Sequence, residues 1–489
     1  MDNQYIPLPR LLLTGMDKDD GHNLVLQALS GVFVKARRRV TTWIAGSDNR
    51  QAGLYEHITG RTTRSLDSWI LDDRTLGYLL HRNSADGSLS LFHAPNGHYA
   101  GWLAEPTELP LGSAAELAEK LDLPTIVVID GSRLSNSIIP RLNGMQQMAG
   151  AGRIKGFIIC YSNQERYEKW APIIAAGTHL TGLGFLNVPR DNPKRPIHLI
   201  MPPGENWALT TRNWVQMFND QVTHLAALAA QDIKIDTLIA IAESAKSLVI
   251  TPPAGFMQTM ATLSRLTPFR LGIPMDAAFH IYDPDNLDLL TDMGAEIVQF
   301  SPLRDRQLPP DLDGLYFGGG HPELLARDLH ANVSLRDMIV HMINDGMPVL
   351  AESEGIYYFA QRIESAGGAG MFPMLGLIPG DGIARYQDKS PRYCRLTAEQ
   401  GGLLGPRGME IKASLPQRLK LTQAGRSFRI KDQRGTVYRD IFMSKTVCFS
   451  QPALRFYSNV DMAEHFVRAC SAYADERQTR GPSINAWSF

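Results

Sequence analysis

An apolar run at residues 314–317 ends in three glycines, Gly318, Gly319 and Gly320, followed by His321-Pro322-Glu323. A second apolar run, Pro348 to Ala351, leads into Glu352-Ser353-Glu354-Gly355. A strand that turns sharply into a helix lifts a nucleophile above a sheet, and the residue at this turn is Ser353. Such an elbow serves acyl transfer: an activated oxygen or sulfur attacks a carbonyl, and preorganised donors hold the oxyanion. The other segment with chemical spacing is LLLTGMDKDDGHNL, residues 11–24. A phosphate loop needs glycines for close backbone approach, a lysine for the terminal phosphates and a hydroxyl for magnesium. Gly15 and Gly21 have the spacing, but His22 stands at the lysine position and Asn23 at the hydroxyl position. Asp17, Asp19 and Asp20 place negative charge where a triphosphate would sit, which opposes binding. Lys18 offsets part of that charge, and a helix N-terminus still favours an anion. Taken alone, the segment reads as an ordinary strand, turn and helix.

These loops need strands to carry them. Leu11–Thr14, Val40–Ala45, Leu89–His93, Thr125–Asp130 and Gly156–Cys160 are short apolar runs, and Leu24–Ala36 and Ala114–Lys120 read as helices between them. Continuous apolar strands alternating with helices predict a parallel α/β sheet. Arg190–Pro203 is rich in proline and charge, and a helix is expected around Trp207–Ala230. Trp207, Trp214 and Phe218 have helical spacing, which fits core or an interface. Turn residues such as Thr251-Pro252-Pro253-Ala254-Gly255 interrupt the pattern and mark a boundary. The expected division is residues 1–245, a linker at 246–268, a second α/β domain at 269–472 and a loose polar tail at 473–489.

The chain has 489 residues, enough for two or three domains at about 100–200 residues each. A net charge of −1 gives no electrostatic footprint for nucleic acid. No apolar run reaches about 18 residues, so no membrane span is expected. The start lacks a signal-peptide pattern, which makes the cytoplasm the default compartment. Cys160, Cys394, Cys448 and Cys470 lack disulfide-framework or zinc spacing and fit packed thiols.

The segment AFHIYDPDNLDLLTDMGAEIVQF, followed by the glycine loop and the elbow, resembles the glutaminase domain of the cobyrinic acid a,c-diamide synthase family, a class I glutamine amidotransferase type. The family's elbow reads A-E-C-G-G, and here it is Ala351-Glu352-Ser353-Glu354-Gly355. The resemblance implies that Ser353 holds the nucleophile position and that Gly319 and Gly320 belong to the oxyanion loop. The family's Y-x-H-x-H-F strand corresponds to Gln451–Phe456, where Ala453 and Arg455 fill the two histidine positions. Its G-H-E-F-H-Y-S segment corresponds to Gly408–Ser414, again without histidine. Arg455 fits either a ligand carboxylate or a structural ion pair. His321 follows the glycine loop where relatives carry an aromatic, and a turn residue bonded to backbone is the plainer reading.

In the first half the resemblance is collinear but degraded. Gly46, Asp48, Thr59, Gly60, Leu66, Asp67 and Trp69 match family motifs that follow the phosphate loop, whereas its lysine, second aspartate and asparagine are replaced. The family's metal-binding glutamate is His93, in a segment that keeps Gly97 and Gly101 and carries His98. The resemblance implies a parallel-sheet nucleoside-triphosphatase domain similar to dethiobiotin synthetase, with a nucleotide or ligand site drawn from Gly15, Lys18, Gly21, His22, Asn23, Asp48 and Asp67. His22 and His93 replace residues that meet at the family's phosphate–magnesium site. With His98 they suit a transition metal or haem-type iron better than magnesium. Histidines that are merely hydrogen-bonded are the plainer reading.

Relatives use ATP, magnesium and glutamine to amidate tetrapyrrole acetate side chains. Substitutions at both sites imply a pseudoenzyme that binds a tetrapyrrole-like ligand (corrinoid, sirohaem or haem-like) or a partner protein. One alternative is a working ATP-dependent amidotransferase using rearranged residues or free ammonia, and only that reading requires Mg-ATP. Another is a non-catalytic structural subunit of an active homologue. A homodimer is expected by resemblance alone.

Overall fold

The computed structural model describes all residues except 1–4, 7, 19, 49–50, 102–108, 149–152, 191–206, 367, 369, 385–391, 417–418 and 481–489. Asp19 and most of the proline-rich segment therefore lie outside the described residues, as do the side chains of Trp207 and Trp214. The chain divides into two compact units, Met1–Pro252 and Pro253–Phe489.

The first unit is built on seven parallel strands: β1 (Arg10–Gly15), β2 (Val40–Ala45), β3 (Arg64–Leu66), β4 (Leu89–Ala94), β5 (Thr125–Asp130), β6 (Ile154–Cys160) and β7 (Thr181–Leu186). Their order is β3-β2-β4-β1-β5-β6-β7. β1 is fully buried between β4 and β5, as its Leu11-Leu12-Leu13 run requires. Helix α1 (His22–Lys35) follows directly and packs under the helix Trp207–Asp232. A Cβ on Gly31 would come within 3.0 Å of Ala226 Cβ, so this glycine permits the close helix contact. Phe218, on the same long helix, is fully buried against His57.

The second unit holds a six-stranded sheet. Its strands are β8 (Phe269–Pro274), β9 (Ala295–Phe300), β10 (Gly314–Phe317), β11 (Val349–Glu352), β12 (Phe442–Met443) and β13 (Val447–Ser450). They run in the order β9-β8-β10-β11-β13-β12, all parallel except β12. β10 and β11 lie side by side at the centre, so the glycine loop and the elbow leave the same end of the sheet. An antiparallel five-stranded sheet, including Arg392–Ala398, Glu410–Leu415 and Phe428–Asp432, has no counterpart in the expectations above.

Two expected segments are more ordered than the sequence implied. The stretch 246–268 carries a two-residue ribbon, Leu248–Val249 paired with Tyr5–Ile6, and a helix, Phe256–Leu263. The tail expected to loosen at Tyr473 instead continues the helix Val460–Arg480. Met462, Phe466, Cys470 and Ala474 form a buried stripe at helical spacing. Arg477 then ties the last turns down through Asp311 and Asp313, each at 2.9 Å. Among the described residues no helix is long and apolar enough to cross a membrane.

Candidate functional site

The elbow backbone is intact. Ser353 has φ +55°, the left-handed conformation that costs a non-glycine residue about 1–3 kcal/mol. Gly355 packs where a Cβ would collide with the carbonyls of Gly318 and Phe317, so the turn closes tightly onto the end of β10. Gly319–Gly320 pairs antiparallel with Phe279–Ile281, and His321 N donates to Ala278 O at 2.8 Å. The His321 ring stacks on His280, and its Nδ1 lies 3.5 Å from Glu323 Oε1.

The side chains on this frame depart from a thiol–imidazole pair. Ser353 Oγ donates to Glu354 Oε2 at 2.7 Å, and both residues are buried. A Cβ on Gly319 would meet Glu354 Oε2 at 2.8 Å and Ser353 Oγ at 3.3 Å, so the carboxylate lies directly over the glycine loop. Ala453 sits in a two-residue strand against Ser414. Arg455 is bonded to Asp283 at 2.7 Å, with only 9% of either side chain exposed. Asp283 also caps the helix Pro284–Asp292, accepting from Asp285 N at 3.1 Å. Of the two roles open to Arg455, the structure gives it the ion pair.

Behind the elbow, Glu352 accepts from Tyr316 Oη and from Leu454 N. Asn286 joins the same network, donating to Leu454 O at 2.9 Å and accepting from Phe456 N at 2.8 Å. Burial pushes the Glu352 carboxyl up to about 7, against the lowering effect of its two donors. This network fixes the segment that carries Ala453 and Arg455 onto the strand that leads into Ser353.

In the first unit, Gly15 ends β1 and Gly21, at φ +85°, begins α1. Both glycines are required by contact. A Cβ on Gly15 would meet Asp17 O at 2.5 Å and His22 Nδ1 at 2.7 Å, and one on Gly21 would meet Cys160 Sγ at 2.5 Å. Asp20 is buried and accepts from Asp17 N at 2.8 Å, so a carboxylate of the loop already answers a loop amide. Burial raises its carboxyl, although that bond pulls the other way. Asp17 faces outward to Arg141 at 2.6 Å across a small cleft that also touches Asp130, Ser135 and Ser137. Lys18 is exposed. Asn23 Oδ1 turns back to Leu24 N at 2.9 Å. Asp67 accepts from Trp69 N, Ile70 N and Ser47 Oγ at 3.0, 3.1 and 2.6 Å and shapes the turn after β3. Asp48 is buried in the turn after β2.

The histidines assemble only in part. His22 folds inward rather than toward the cleft, and its ring lies 5.0 Å from that of His93. His93 is fully buried, and its Nδ1 lies 3.1 Å from Tyr55 Oη. Burial holds its imidazole well below the ordinary range, and neighbouring His22 adds to this. His98 packs edge-on against Tyr99 at 4.7 Å, and burial holds it at about 4. Its backbone reaches the loop, with His98 N donating to Gly15 O at 3.0 Å. Among the described residues no group of three or more His, Cys, Asp or Glu side chains is arranged to hold a metal ion. The metal expectation at His22, His93 and His98 therefore finds no assembled three-ligand centre among the described residues: His22 and His93 lie side by side next to Tyr55, while His98 packs on Tyr99. All four cysteines are buried, and burial raises their thiols.

Sequence reasoning missed Asp283 as the partner of Arg455, and Asp20 as the ligand of its own loop. The one available signal was Asp283-Pro284, a helix-start pair. Nothing local in the sequence links it to Arg455.

Residues 270–439 match the model of a CobB/CobQ-like glutamine amidotransferase domain. Across 468 residues, the chain is 27% identical to the cobyrinate a,c-diamide synthase of Dehalococcoides mccartyi strain CBDB1, covering 94% of this chain and 98% of that protein. The enzyme of the same name from Methanosarcina acetivorans is 30% identical over 425 residues, 83% of each chain. That from Methanosarcina barkeri is 30% identical over 392 residues, 78% of this chain and 74% of that protein.

Proposed function

Because the chain belongs to the cobyrinate a,c-diamide synthase family, we propose that it keeps the amidotransferase scaffold as a non-catalytic protein that binds a tetrapyrrole-type ligand. The observation that carries the loss of catalysis is the Ser353–Glu354 bond over Gly319. A serine hydroxyl is less acidic than a thiol and needs a base more. The base positions hold Ala453 and an Arg455 already committed to Asp283. A carboxylate beside the nucleophile also opposes the negative charge that develops on a carbonyl oxygen under attack. The phosphate loop supports the same reading. His22 is turned into the core, Asn23 bonds its own helix and Asp20 answers the loop amide. The ligand class is carried by the family, whose named members act on a corrin-type substrate.

The test has two parts on the purified full chain. ATP hydrolysis is measured with cobyrinate-type acceptor and either glutamine or ammonium, and no acceptor-dependent turnover is expected. Visible absorbance is then titrated with sirohaem, haem and a corrinoid, and a saturable shift with at least one is expected. Glutamine-dependent turnover overturns the non-catalytic reading, and the absence of any shift overturns the ligand.

A further inference from the structure

We propose that Glu354 is a built-in occupant of the elbow, its carboxylate taking the place over Gly319 that the oxygen of an acyl donor would need. The inference rests on the reading above only for the identity of the cradle. Three observations place the side chain there. Ser353 and Gly355 fix the backbone on either side, one by its left-handed conformation and the other by its contact with Gly318. Glu354 Oε2 then lies 2.7 Å from Ser353 Oγ and within reach of the Gly319 Cα face. Both residues are buried, so the carboxylate is held inside the cradle rather than swinging in solvent.

The consequences are steric and electrostatic. Glu354 Oε2 lies 2.8 Å from where a Cβ of Gly319 would stand, so a group laid against that face of the glycine loop would meet it. Any group acquiring negative charge there would meet an existing one in a poorly solvated place, where Coulomb repulsion is least screened. The hydroxyl proton of Ser353 is also committed to this carboxylate, which leaves the oxygen oriented toward Glu354 instead of toward a substrate. The elbow is thus closed to acyl donors and to anions by Glu354 itself, independently of the missing imidazole.

A thiol placed at the elbow reads this directly, because all four natural cysteines are buried. Ser353→Cys and Ser353→Cys/Glu354→Gly would be made in the full chain, with Ser353→Cys/Glu354→Ala as a second opening variant. Alkylation at pH 7 is followed with neutral iodoacetamide and anionic iodoacetate. Removing an adjacent carboxylate that raises the thiol by about one pKa unit gives roughly tenfold more thiolate, so both opening variants should react about tenfold faster or more. Iodoacetate should gain more than iodoacetamide. Ser353→Cys/Glu354→Gln keeps the bulk and removes the charge; it should lose the discrimination against iodoacetate while remaining slower than the glycine variant. Equal rates for Ser353→Cys and the two opening variants, all folded by near-ultraviolet circular dichroism, overturn the proposal. That outcome leaves the non-catalytic reading untouched, since turnover and ligand titration decide it separately.

Discussion

The chain has two glycine-bearing turns at strand ends, and each holds a carboxylate of its own. In the first unit Asp20 accepts from the Asp17 amide, and in the second Glu354 accepts from the Ser353 hydroxyl. The difference lies in what each turn retains. The first is satisfied by local bonding: His22 folds inward, Asn23 bonds its own helix and Asp17 pairs with Arg141 at the surface. The second has a strained backbone at Ser353 and a tight closure at Gly355, and its carboxylate bonds a side chain rather than a backbone amide. In both, packing and backbone conformation account for the glycines, because Gly21 sits at φ +85° and a Cβ at Gly15, Gly21 or Gly355 would strike fixed neighbours. Glycine spacing therefore reports the path of the backbone. Whether chemistry accompanies it must be read from the residues between the glycines.

The comparison would break most severely if Arg455 were free to serve a ligand. Arg455→Ala should cost about 3–5 kcal/mol, the range for removing one partner of a buried pair and leaving the other charged. The loss arises because Asp283 would remain buried, with its helix cap still to satisfy. Arg455→Met combined with Asp283→Asn should recover most of that stability. Denaturant unfolding of the three proteins measures both. A neutral Arg455→Ala would return the residue to the ligand-binding side and undo the claim that its ion pair with Asp283 is structural.

A second contrast follows from buried protons, and its sign differs between the units. His98 is held at about 4 when folded and titrates near 6.5 when unfolded, so the folded imidazole stays neutral. Its stabilising contribution is present above pH 6.5 and is lost as pH falls from there toward 4. Glu352 is raised from 4.5 to about 7. Its contribution is fully present below 4.5 and is lost as pH rises through 7. Each should be worth on the order of 3 kcal/mol at its limit. Between pH 4.5 and 6.5 hydrogen exchange should therefore show β4 and its neighbours gaining protection as pH rises, while β11 and its neighbours lose it. His98→Gln and Glu352→Gln should each flatten one slope and spare the other. Parallel slopes would mean that other groups govern one of the units.

Much of the fold was legible because the five central strands of the first sheet are short, mostly apolar runs. Thr125–Asp130 is buried throughout, as an interior parallel strand must be. β3 escaped notice because it is three residues long, and β7 because Gly182 and Gly184 interrupt it. The antiparallel sheet was hidden for a different reason. Phe428–Asp432 alternates buried and exposed residues over only five positions, too few for its charged members to read as an outer face. At the sites, sequence named the residues but not where their side chains point. Asp283 meets Arg455 only because the helix beginning at Pro284 packs against the turn Phe456–Ser458. The inward turn of His22 likewise depends on space beside His93, a strand away in the sheet.

The smallest effects belong to the first turn and sharpen the claim that it is locally satisfied. Asp20→Ala leaves the Asp17 amide without its acceptor in a buried place, which should cost about 1–3 kcal/mol. Asp20→Asn keeps an acceptor oxygen, sheds a charge that burial disfavours, and should cost less. Arg141→Ala removes a pair whose side chains are 51% and 71% exposed, so water and salt already screen most of the attraction. Its cost should lie below about 1 kcal/mol and shrink further in added salt. Thermal unfolding at two ionic strengths ranks the three variants. If Arg141→Ala proved as costly as Asp20→Ala, the turn would depend on its cleft-facing charges, and an anion competing for Arg141 would be the next thing to seek there. The expected ranking instead places the turn's stability in its internal carboxylate.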